Sequence, residues 1–416
     1  MTGDRVARVV VVGGGIAGVS TAGALRAGGF DGDLTLVDPG EFPYDRPPLS
    51  KDFLSGAKNI GQLALQSSRW YDDQRVRLLN RTAVTALRPR EGKVELADGT
   101  LLPADRVVLA TGGGAARPPV PGLDSERVHV LRTATDADRL RPQLTPGARV
   151  LVVGAGLIGS EAASTAVRLG CEVTLVDPLA TPLVSVLGTE LAGWLHDLHT
   201  WHHVTTAQTT VEALTDRGGH IEARLAGRTG LRSYDVVVLG VGMVANTELA
   251  ERAGLETDRG IVVDTGQVTS NPAVLAVGDP ARTRHDGVLL PRTEHWEAAQ
   301  HDGARAAATI LGAPAPAPTV PWFWTDRHGR HIEAVGHMAD AERTVLRGSC
   351  DDPAFTVFGL RGGHVVAAAS VDDSAAVRAA RRMIDRRVPA DAGRLSDPAV
   401  NPRALLRTAP DGERTG

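Results

Sequence analysis

Two glycine-rich turns in this chain could each bind the pyrophosphate of a dinucleotide. The first comprises Gly13, Gly14, Gly15, Ile16, Ala17 and Gly18. The second comprises Gly154, Ala155, Gly156, Leu157, Ile158 and Gly159. Each follows an apolar run that predicts a buried strand and precedes a predicted helix, the context in which glycines let backbone N–H groups approach a pyrophosphate. Two such sites predict that one cofactor passes electrons to another.

An aspartate ends the predicted strand that follows each turn. Asp38 and Asp177 each lie about 20 residues after their turn, where this motif carries an acid for the ribose hydroxyls. A carboxylate at this place also repels a 2′-phosphate. Because no arginine occurs among residues 178–181, the second site is expected to prefer NADH over NADPH.

The composition argues against nucleic-acid and membrane partners. The net charge is −4, and no apolar run reaches the length of about 20 residues that spans a bilayer. The first residues carry no signal-peptide pattern, and Cys171 and Cys350 form no Cys-x-x-Cys motif, so a reducing, cytoplasmic setting is expected. No metal site is predicted, because His202, His203 and His301 lack partners at ligand spacing.

The apolar runs predict an α/β fold with two Rossmann-like domains and a small α+β domain at the C-terminal end. Strands are predicted at residues 9–12, 34–38, 84–87, 93–96, 107–112, 149–153, 173–177, 235–240 and 274–279. The first two helices are predicted at residues 16–27 and 158–169. A proline-rich linker at residues 313–318 precedes the last domain. That domain is expected to contain strands near residues 332–335, 355–360 and 365–369 and a helix at residues 374–386.

Several segments resemble the flavin-dependent ferredoxin reductases that serve bacterial oxygenases, the putidaredoxin-reductase-like proteins. The most specific is residues 43–51, which read Pro-Tyr-Asp-Arg-Pro-Pro-Leu-Ser-Lys. The others are residues 110–112, 154–161, 187–190, 240–247, 278–279, 294–296 and 322–326. The chain departs from the family pattern at Pro280 and at Arg327 with His328.

This resemblance implies a glutathione-reductase-like arrangement, in which the nucleotide domain is inserted into the FAD domain. The implied FAD domain covers residues 1–116 and 247–319, and the NAD domain covers residues 117–246. The C-terminal α+β domain would cover residues 320–390, and residues 391–416 would form a partly disordered tail.

The resemblance also implies catalytic roles. Lys51 would lie beside flavin N5 and pair with Glu161, which would also contact the nicotinamide carboxamide. Simpler alternatives are that Lys51 is a solvated surface lysine and that Glu161 only complements the dipole in the first turn of its helix. Trp324 would pack by the isoalloxazine, or would be a core aromatic of the small domain.

Further residues would bind the cofactors by resemblance. Asp279 would bond the ribityl chain of FAD, unless it only forms a turn. Arg132 would contact the FAD phosphates, and Trp296 would lie near the pyrimidine end of the flavin. Together with Lys51, Glu161 and Trp324, the predicted cofactor-binding residues are Gly13, Gly15, Ile16, Ala17, Gly18, Asp38, Arg46, Val84, Arg132, Gly154, Gly156, Leu157, Ile158, Gly159, Asp177, Gly242, Asp279, Glu294, His295 and Trp296.

The implied function is that of an NADH:ferredoxin oxidoreductase. Hydride would pass from NADH to non-covalently bound FAD, and single electrons would then pass to a small iron–sulfur ferredoxin that supplies an oxygenase. Disulphide reductases of this architecture need two close cysteines, so electrons from this chain must go to an external acceptor. The alternatives are a diaphorase or NADH oxidase that reduces quinones or oxygen directly, and a non-catalytic NADH-sensing flavoprotein. A monomer or a homodimer is expected.

Overall fold

The computed structural model describes residues 6–407. The described chain divides into two compact units. The first unit comprises the chain up to Pro48, Lys58–Ala115 and Met243–Ala317. The second unit comprises Leu49–Ala57, Ala116–Gly242 and the chain from Pro318 onwards. The predicted boundaries assign Lys51 to the first dinucleotide domain, whereas its contacts place it in the second unit.

The first unit is built on a five-stranded parallel sheet. The strand order is Val274–Ala276, Arg106–Leu109, Arg8–Val12, Asp33–Val37 and Val76–Leu79. Val11, Leu36 and Val108 are fully buried, as expected where both faces of a parallel sheet are covered. The first glycine turn therefore leaves the carboxyl end of the central strand.

Small residues let two helices of the first unit pack closely. Ile16–Ala27 lies against Trp296–Leu311. A Cβ atom on Gly303 would lie 2.8 Å from the backbone nitrogen of Thr21, which leaves no room for a larger residue. The other helices of this unit are Ser68–Asp73 and Glu248–Arg252. Its smaller sheets use Val84–Arg88, Lys93–Leu96, Leu101–Pro103, Gly113–Ala115, Met243–Ala245, Ile261–Val263, Ala281–His285 and Val288–Leu289.

The second unit repeats the parallel sheet and its glycine turn. The strand order is Thr205–Gln208, Glu172–Asp177, Arg149–Val153, Val236–Leu239 and Val128–Val130. The second glycine turn leaves the central strand and opens the helix Leu157–Arg168. Further helices are Ala134–Leu140, Val184–Leu187 and Thr189–Trp201, and an antiparallel sheet uses Val211–Asp216, Ile221–Leu225 and Arg232–Tyr234.

The C-terminal part of the second unit is an antiparallel sheet covered by a helix. The strand order is Trp322–Arg327, Arg330–Gly336, His364–Val371, Phe355–Arg361 and Arg343–Arg347. The helix Ser374–Arg386 buries Val377, Ala380 and Met383 against this sheet. The chain continues with the helix Ala392–Ser396, whose Leu395 is buried in the same cluster.

These observations confirm the predicted α/β fold with two Rossmann-like domains and a C-terminal α+β domain. The helix Ser374–Arg386 has the predicted bounds. Residues 391–416 are predicted to form a partly disordered tail. Within it, residues 391–407 contain helical segments, and Leu395 and Leu405 are buried. Residues 408–416 of that predicted tail lie outside the described residues. No helix within residues 6–407 is long and apolar enough to cross a membrane.

Candidate dinucleotide and redox sites

The first glycine turn has the shape of a pyrophosphate cradle. Gly13 has a φ of +111°, and a Cβ atom there would collide with the carbonyl oxygen of Ala110. A Cβ on Gly18 would collide with the carbonyl oxygen of Gly13, so only glycine lets the helix approach the strand this closely. An added Cβ on Gly15, by contrast, would meet no atom within 4 Å. The turn is closed on the protein side and open on the other.

The helix behind this turn begins in a way that suits an anion. Gly15 is the N-cap of Ile16–Ala27, and among the described residues no side chain caps this end and no acid lies in its first turn. The backbone N–H groups of a first turn need an acceptor, and a phosphate supplies one. The residues present therefore fit a dinucleotide pyrophosphate.

Asp38 closes the turn by accepting backbone hydrogen bonds. Its carboxylate accepts hydrogen bonds from the backbone N–H of Gly14 (2.5 Å) and from that of Gly40 (2.7 Å). A carboxylate offers about four lone-pair sites, so two backbone bonds leave acceptor capacity for ribose hydroxyls. The sequence motif predicted the acid but not its bonds to the turn.

The Gly278-Asp279 segment of the first unit is a tight turn held from several sides. Gly278 has a φ of +73°, and its carbonyl accepts a hydrogen bond from Ala281 at 2.9 Å. The Asp279 carbonyl accepts from the Arg292 guanidinium at 2.9 Å, and the N–H of Gly278 donates to Asp302 at 3.2 Å. Pro280 fits within this turn, so the departure from the family pattern does not disrupt it. Burial raises the pKa of Asp302 to about 6.

The remaining predicted residues of the first unit lie at helix and strand ends. His295 is the N-cap of Trp296–Leu311, and the Trp296 indole donates a hydrogen bond to Asp45 at 2.8 Å. Glu294 forms an ion pair with Arg292 at 2.8 Å. Arg46 is half-buried, and Val84 begins the strand Val84–Arg88. Asp45 lies in the specific segment 43–51, but its pairing with Trp296 was not predicted, and Asp302 is a partner that no sequence pattern marks.

The second glycine turn repeats the geometry of the first. Gly154 has a φ of +97°, and a Cβ on Gly159 would collide with the carbonyl oxygen of Gly154. Gly156 is the N-cap of Leu157–Arg168, with open space around it and no side-chain cap among the described residues. Leu157 is half-buried and packs against a hydrophobic core cluster, and Ile158 is 41% exposed at the start of the helix.

A cavity of about 490 Å³ opens beside the second turn. It is lined by Gly154, Gly156, Asp177, Leu179, Val241 and Gly242 and by further residues of the same unit. The Asp177 carboxylate accepts hydrogen bonds from the N–H of Ala155 (2.7 Å) and from that of Leu179 (2.8 Å). Acid, turn and cavity together fit the adenosine end of a nicotinamide nucleotide.

Glu161 lies at the centre of a buried polar cluster in the second unit. Its carboxylate accepts hydrogen bonds from Ser50 (2.5 Å), from Thr325 (2.6 Å) and from Lys51 (3.3 Å). Glu161 is 4% exposed. It is the fifth residue of its helix, whose first turn holds no acid, so the explanation that it only complements the helix dipole is wrong.

Lys51 bridges two carboxylates. Its ammonium also pairs with Asp326 at 2.8 Å, and it lies 5.8 Å from the ring centroid of Trp324. The Lys51 side chain is 15% exposed, which excludes a solvated surface lysine. Burial alone would lower the pKa of Lys51, but the charge of Glu161 and the hydrogen bond to Asp326 outweigh it and raise that pKa.

The strand Trp322–Arg327 presents alternate residues to its two faces. Trp324 stacks on Trp322 with ring centroids 5.1 Å apart. Arg327 is buried with Thr325 on the opposite face, and burial lowers its pKa to about 10. The Arg327 side chain therefore lies on the face opposite Trp324. Arg132 lies just before Ala134–Leu140, where its N–H donates to Asp136 at 3.1 Å.

Comparison with known proteins identifies the family. Residues 7–303 match the family model described as pyridine nucleotide-disulphide oxidoreductase, and residues 322–406 match the model described as reductase C-terminal. The chain belongs to the pyridine nucleotide-disulphide oxidoreductase family. It is an FAD-dependent oxidoreductase that uses NADH, and the resemblance predicted from the sequence is confirmed.

Three individual similarities extend over nearly the whole chain. The ferredoxin–NAD(+) reductase component of an anthranilate 1,2-dioxygenase system from Burkholderia cepacia is 38% identical, over 95% of this chain and 98% of that protein. Putidaredoxin reductase from Pseudomonas putida is 35% identical, over 96% and 97%. The crystal structure of a covalent putidaredoxin reductase–putidaredoxin complex matches with a TM-score of 0.88 and 33% identity, over 96% of this chain and 97% of that chain.

This member of the family has no redox-active cysteine pair. The chain contains two cysteines; Cys171 is buried, Cys350 is half-buried, and both are free thiols. Burial raises the pKa of Cys171 to about 11 and also raises that of Cys350. Neither thiol is activated as a thiolate nucleophile at neutral pH, so electrons do not leave through a disulphide.

Proposed function

We propose that this protein is an NADH:ferredoxin oxidoreductase whose acceptor is a small iron–sulfur ferredoxin of an oxygenase system. The observation that carries the proposal is the presence of two dinucleotide cradles in a chain without a cysteine pair. Electrons that enter at one cofactor and reach the other must then leave to an external acceptor. The relatives named as ferredoxin reductases support a ferredoxin in that role. A cytoplasmic setting and a monomeric or homodimeric state remain predictions.

In this mechanism the protein mainly positions the two cofactors and stabilises the charge that develops during electron transfer. Backbone N–H groups of the two turns would bind the pyrophosphates, and Asp38 and Asp177 would bind the ribose hydroxyls. Bound non-covalently, FAD would supply the capacity to take up a hydride and to release single electrons. The Lys51 ammonium, held by Glu161 and Asp326, would supply positive charge that offsets the negative charge added by reduction. Close alignment of the reactants supplies most of the rate, and no general acid is required.

The proposal is tested by the acceptor that sustains turnover. NADH-dependent reduction of cytochrome c should require an added ferredoxin and should increase with its concentration. Oxygen consumption and quinone reduction without ferredoxin should be much slower. Rapid turnover with oxygen or quinones and none with any ferredoxin of a broad panel would identify a diaphorase or an oxidase. Slow turnover with every acceptor would identify a sensor.

The helix Ser374–Arg386 offers a basic face for an acidic ferredoxin. Arg378, Arg382 and Arg386 are exposed at a spacing of four residues and lie on one side. Arg381, on the same helix, is half-buried and has other contacts. Opposite charges increase association rates more than affinity.

Charge reversal on this face should slow coupling to ferredoxin. In the double variant Arg378→Glu, Arg382→Glu, the apparent association rate with ferredoxin should fall about threefold to tenfold at low salt, with a flatter salt dependence. The control is Arg343→Glu, an exposed arginine on the strand Arg343–Arg347. Flavin reduction by NADH should not change. Wild-type rates and an unchanged salt slope would mean that ferredoxin docks elsewhere.

A further inference from the structure

A hydrogen-bonded chain of alternating charges leads away from Lys51. Lys51 pairs with Asp326 at 2.8 Å, and Asp326 pairs with Nδ1 of His331 at 2.5 Å. Nε2 of His331 pairs with Glu333 at 2.9 Å, and Ser374 donates to the same Glu333 oxygen at 2.7 Å. All of these residues belong to the second unit.

The antiparallel strand pair explains why the chain is continuous. Asp326 and His331 are direct cross-strand partners, and Trp324 is the partner of Glu333. Directly opposed residues on one face of an antiparallel pair lie close enough to bond. The strands meet at His328 and Gly329, both with positive φ, so the hairpin fixes this register.

Both ring nitrogens of His331 face a carboxylate. Only the imidazolium can donate to both carboxylates, because a neutral imidazole has one donor and one acceptor. The other charged groups nearby are Asp372, which accepts from the N–H of His331 at 2.9 Å, and Arg330, which pairs with Asp372 at 3.3 Å. The Arg330–Asp372 pair has a net charge close to zero. The positive charge of the His331 imidazolium therefore acts on the negative charges of Asp326 and Glu333.

We propose that His331 is a positioning residue for Lys51. Its imidazolium shares the Asp326 carboxylate with Lys51. When His331 loses its proton, the full negative charge of Asp326 acts on Lys51 and flavin reduction slows. The inference rests on the proposed function, in which Lys51 serves the flavin. Lys51 would then lie between two carboxylates, with no imidazolium to offset them. Added negative charge disfavours an electron-rich reduced cofactor.

The pH range follows from the surroundings of His331. Burial alone would lower the pKa of His331, but hydrogen bonds to Asp326 and to Glu333 raise it above the ordinary value of 6.5. The imidazolium therefore persists at a pH where an ordinary histidine is already half deprotonated, and it is lost as the pH rises through the higher pKa of His331 in the folded protein. The rate of flavin reduction should fall over that same range.

The pH profile of flavin reduction tests this role. Stopped-flow reduction of the holoenzyme by NADH should slow about threefold to tenfold as His331 loses its proton. His331→Gln should be slow at every pH, and His331→Arg, which keeps a positive charge, should stay fast. The control His364→Gln removes a half-buried histidine on the neighbouring strand and should keep the wild-type profile. A wild-type inflection in His331→Gln would overturn the inference.

A second measurement is independent of turnover. Nuclear magnetic resonance titration of His331 in the oxidised holoenzyme should show a higher imidazole pKa in Lys51→Met than in the wild type, because Asp326 then pairs with His331 alone. The expected increase is about half a unit or more. An unchanged pKa would show that the two groups are not coupled. Absence of NADH-dependent flavin reduction at every pH would instead contradict the proposed function and leave this coupling test intact.

Discussion

Replacement of Lys51 by alanine should slow the reduction of FAD by NADH by roughly 10- to 150-fold. This range corresponds to the loss of a hydrogen bond to a charged group, which contributes about 1.5–3 kcal/mol. The ammonium lies between Glu161 and Asp326, and without it these two carboxylates have no cation between them. Negative charge added during reduction would then be destabilised. The measurement is the stopped-flow decrease of flavin absorbance under anaerobic conditions.

Two further variants separate this electrostatic role from a structural one. Lys51→Arg keeps the positive charge and should recover part of the rate, although its larger head changes the geometry. Lys58→Ala removes one of the chain's other two lysines, which is exposed, and should have no effect. The amount of FAD retained by Lys51→Ala should be close to that of the wild type. An unchanged reduction rate in Lys51→Ala would remove Lys51 from the mechanism.

Replacement of Asp177 by arginine should erode or reverse the preference for NADH over NADPH. The wild-type preference in kcat/KM is expected to be roughly 10- to 150-fold, since charge-assisted hydrogen bonds contribute about 1.5–3 kcal/mol. Asp177 lies beside the second turn and lines its cavity, where a carboxylate repels a 2′-phosphate and an arginine attracts it. Initial rates with the two nucleotides give the ratio.

The two backbone bonds of Asp177 make a second variant necessary. Because the carboxylate also holds Ala155 and Leu179, Asp177→Arg loosens the turn in addition to changing the charge. Asp177→Asn keeps an acceptor and removes the charge, so it should weaken the preference while NADPH use stays modest. Equal use of both nucleotides by the wild type would contradict the assignment of Asp177.

The elements that the sequence predicted well are those set by local pattern. The helix Ile16–Ala27 starts where the glycine turn ends, and the helix Ser374–Arg386 follows a capping Asp373. The strand Arg343–Arg347 was not predicted, because this edge strand mixes two arginines and a threonine with only two apolar residues. The helix Thr189–Trp201 was also missed, since its buried stripe includes His199 among apolar residues.

The partners of the site residues were harder to predict than the residues themselves. Lys51 and Glu161 followed from the resemblance. Thr325, Asp326 and Ser50 were not assigned as their partners, because Asp326 is far from Lys51 in sequence and is brought to it only by folding of the second unit. The His331 contact follows from the cross-strand register of a hairpin, which depends on a turn at His328 that the sequence did not mark.

The most direct test of the central claim is an anaerobic single-turnover experiment that follows both the flavin and an added ferredoxin. The protein would first be mixed with one equivalent of NADH and then with an excess of an oxidised one-electron ferredoxin from a bacterial oxygenase system. We expect the flavin absorbance to fall with NADH and to recover as two ferredoxin molecules are reduced for each NADH. A flavin that stays reduced in the presence of every ferredoxin, yet is rapidly reoxidised by oxygen or a quinone, would contradict the account.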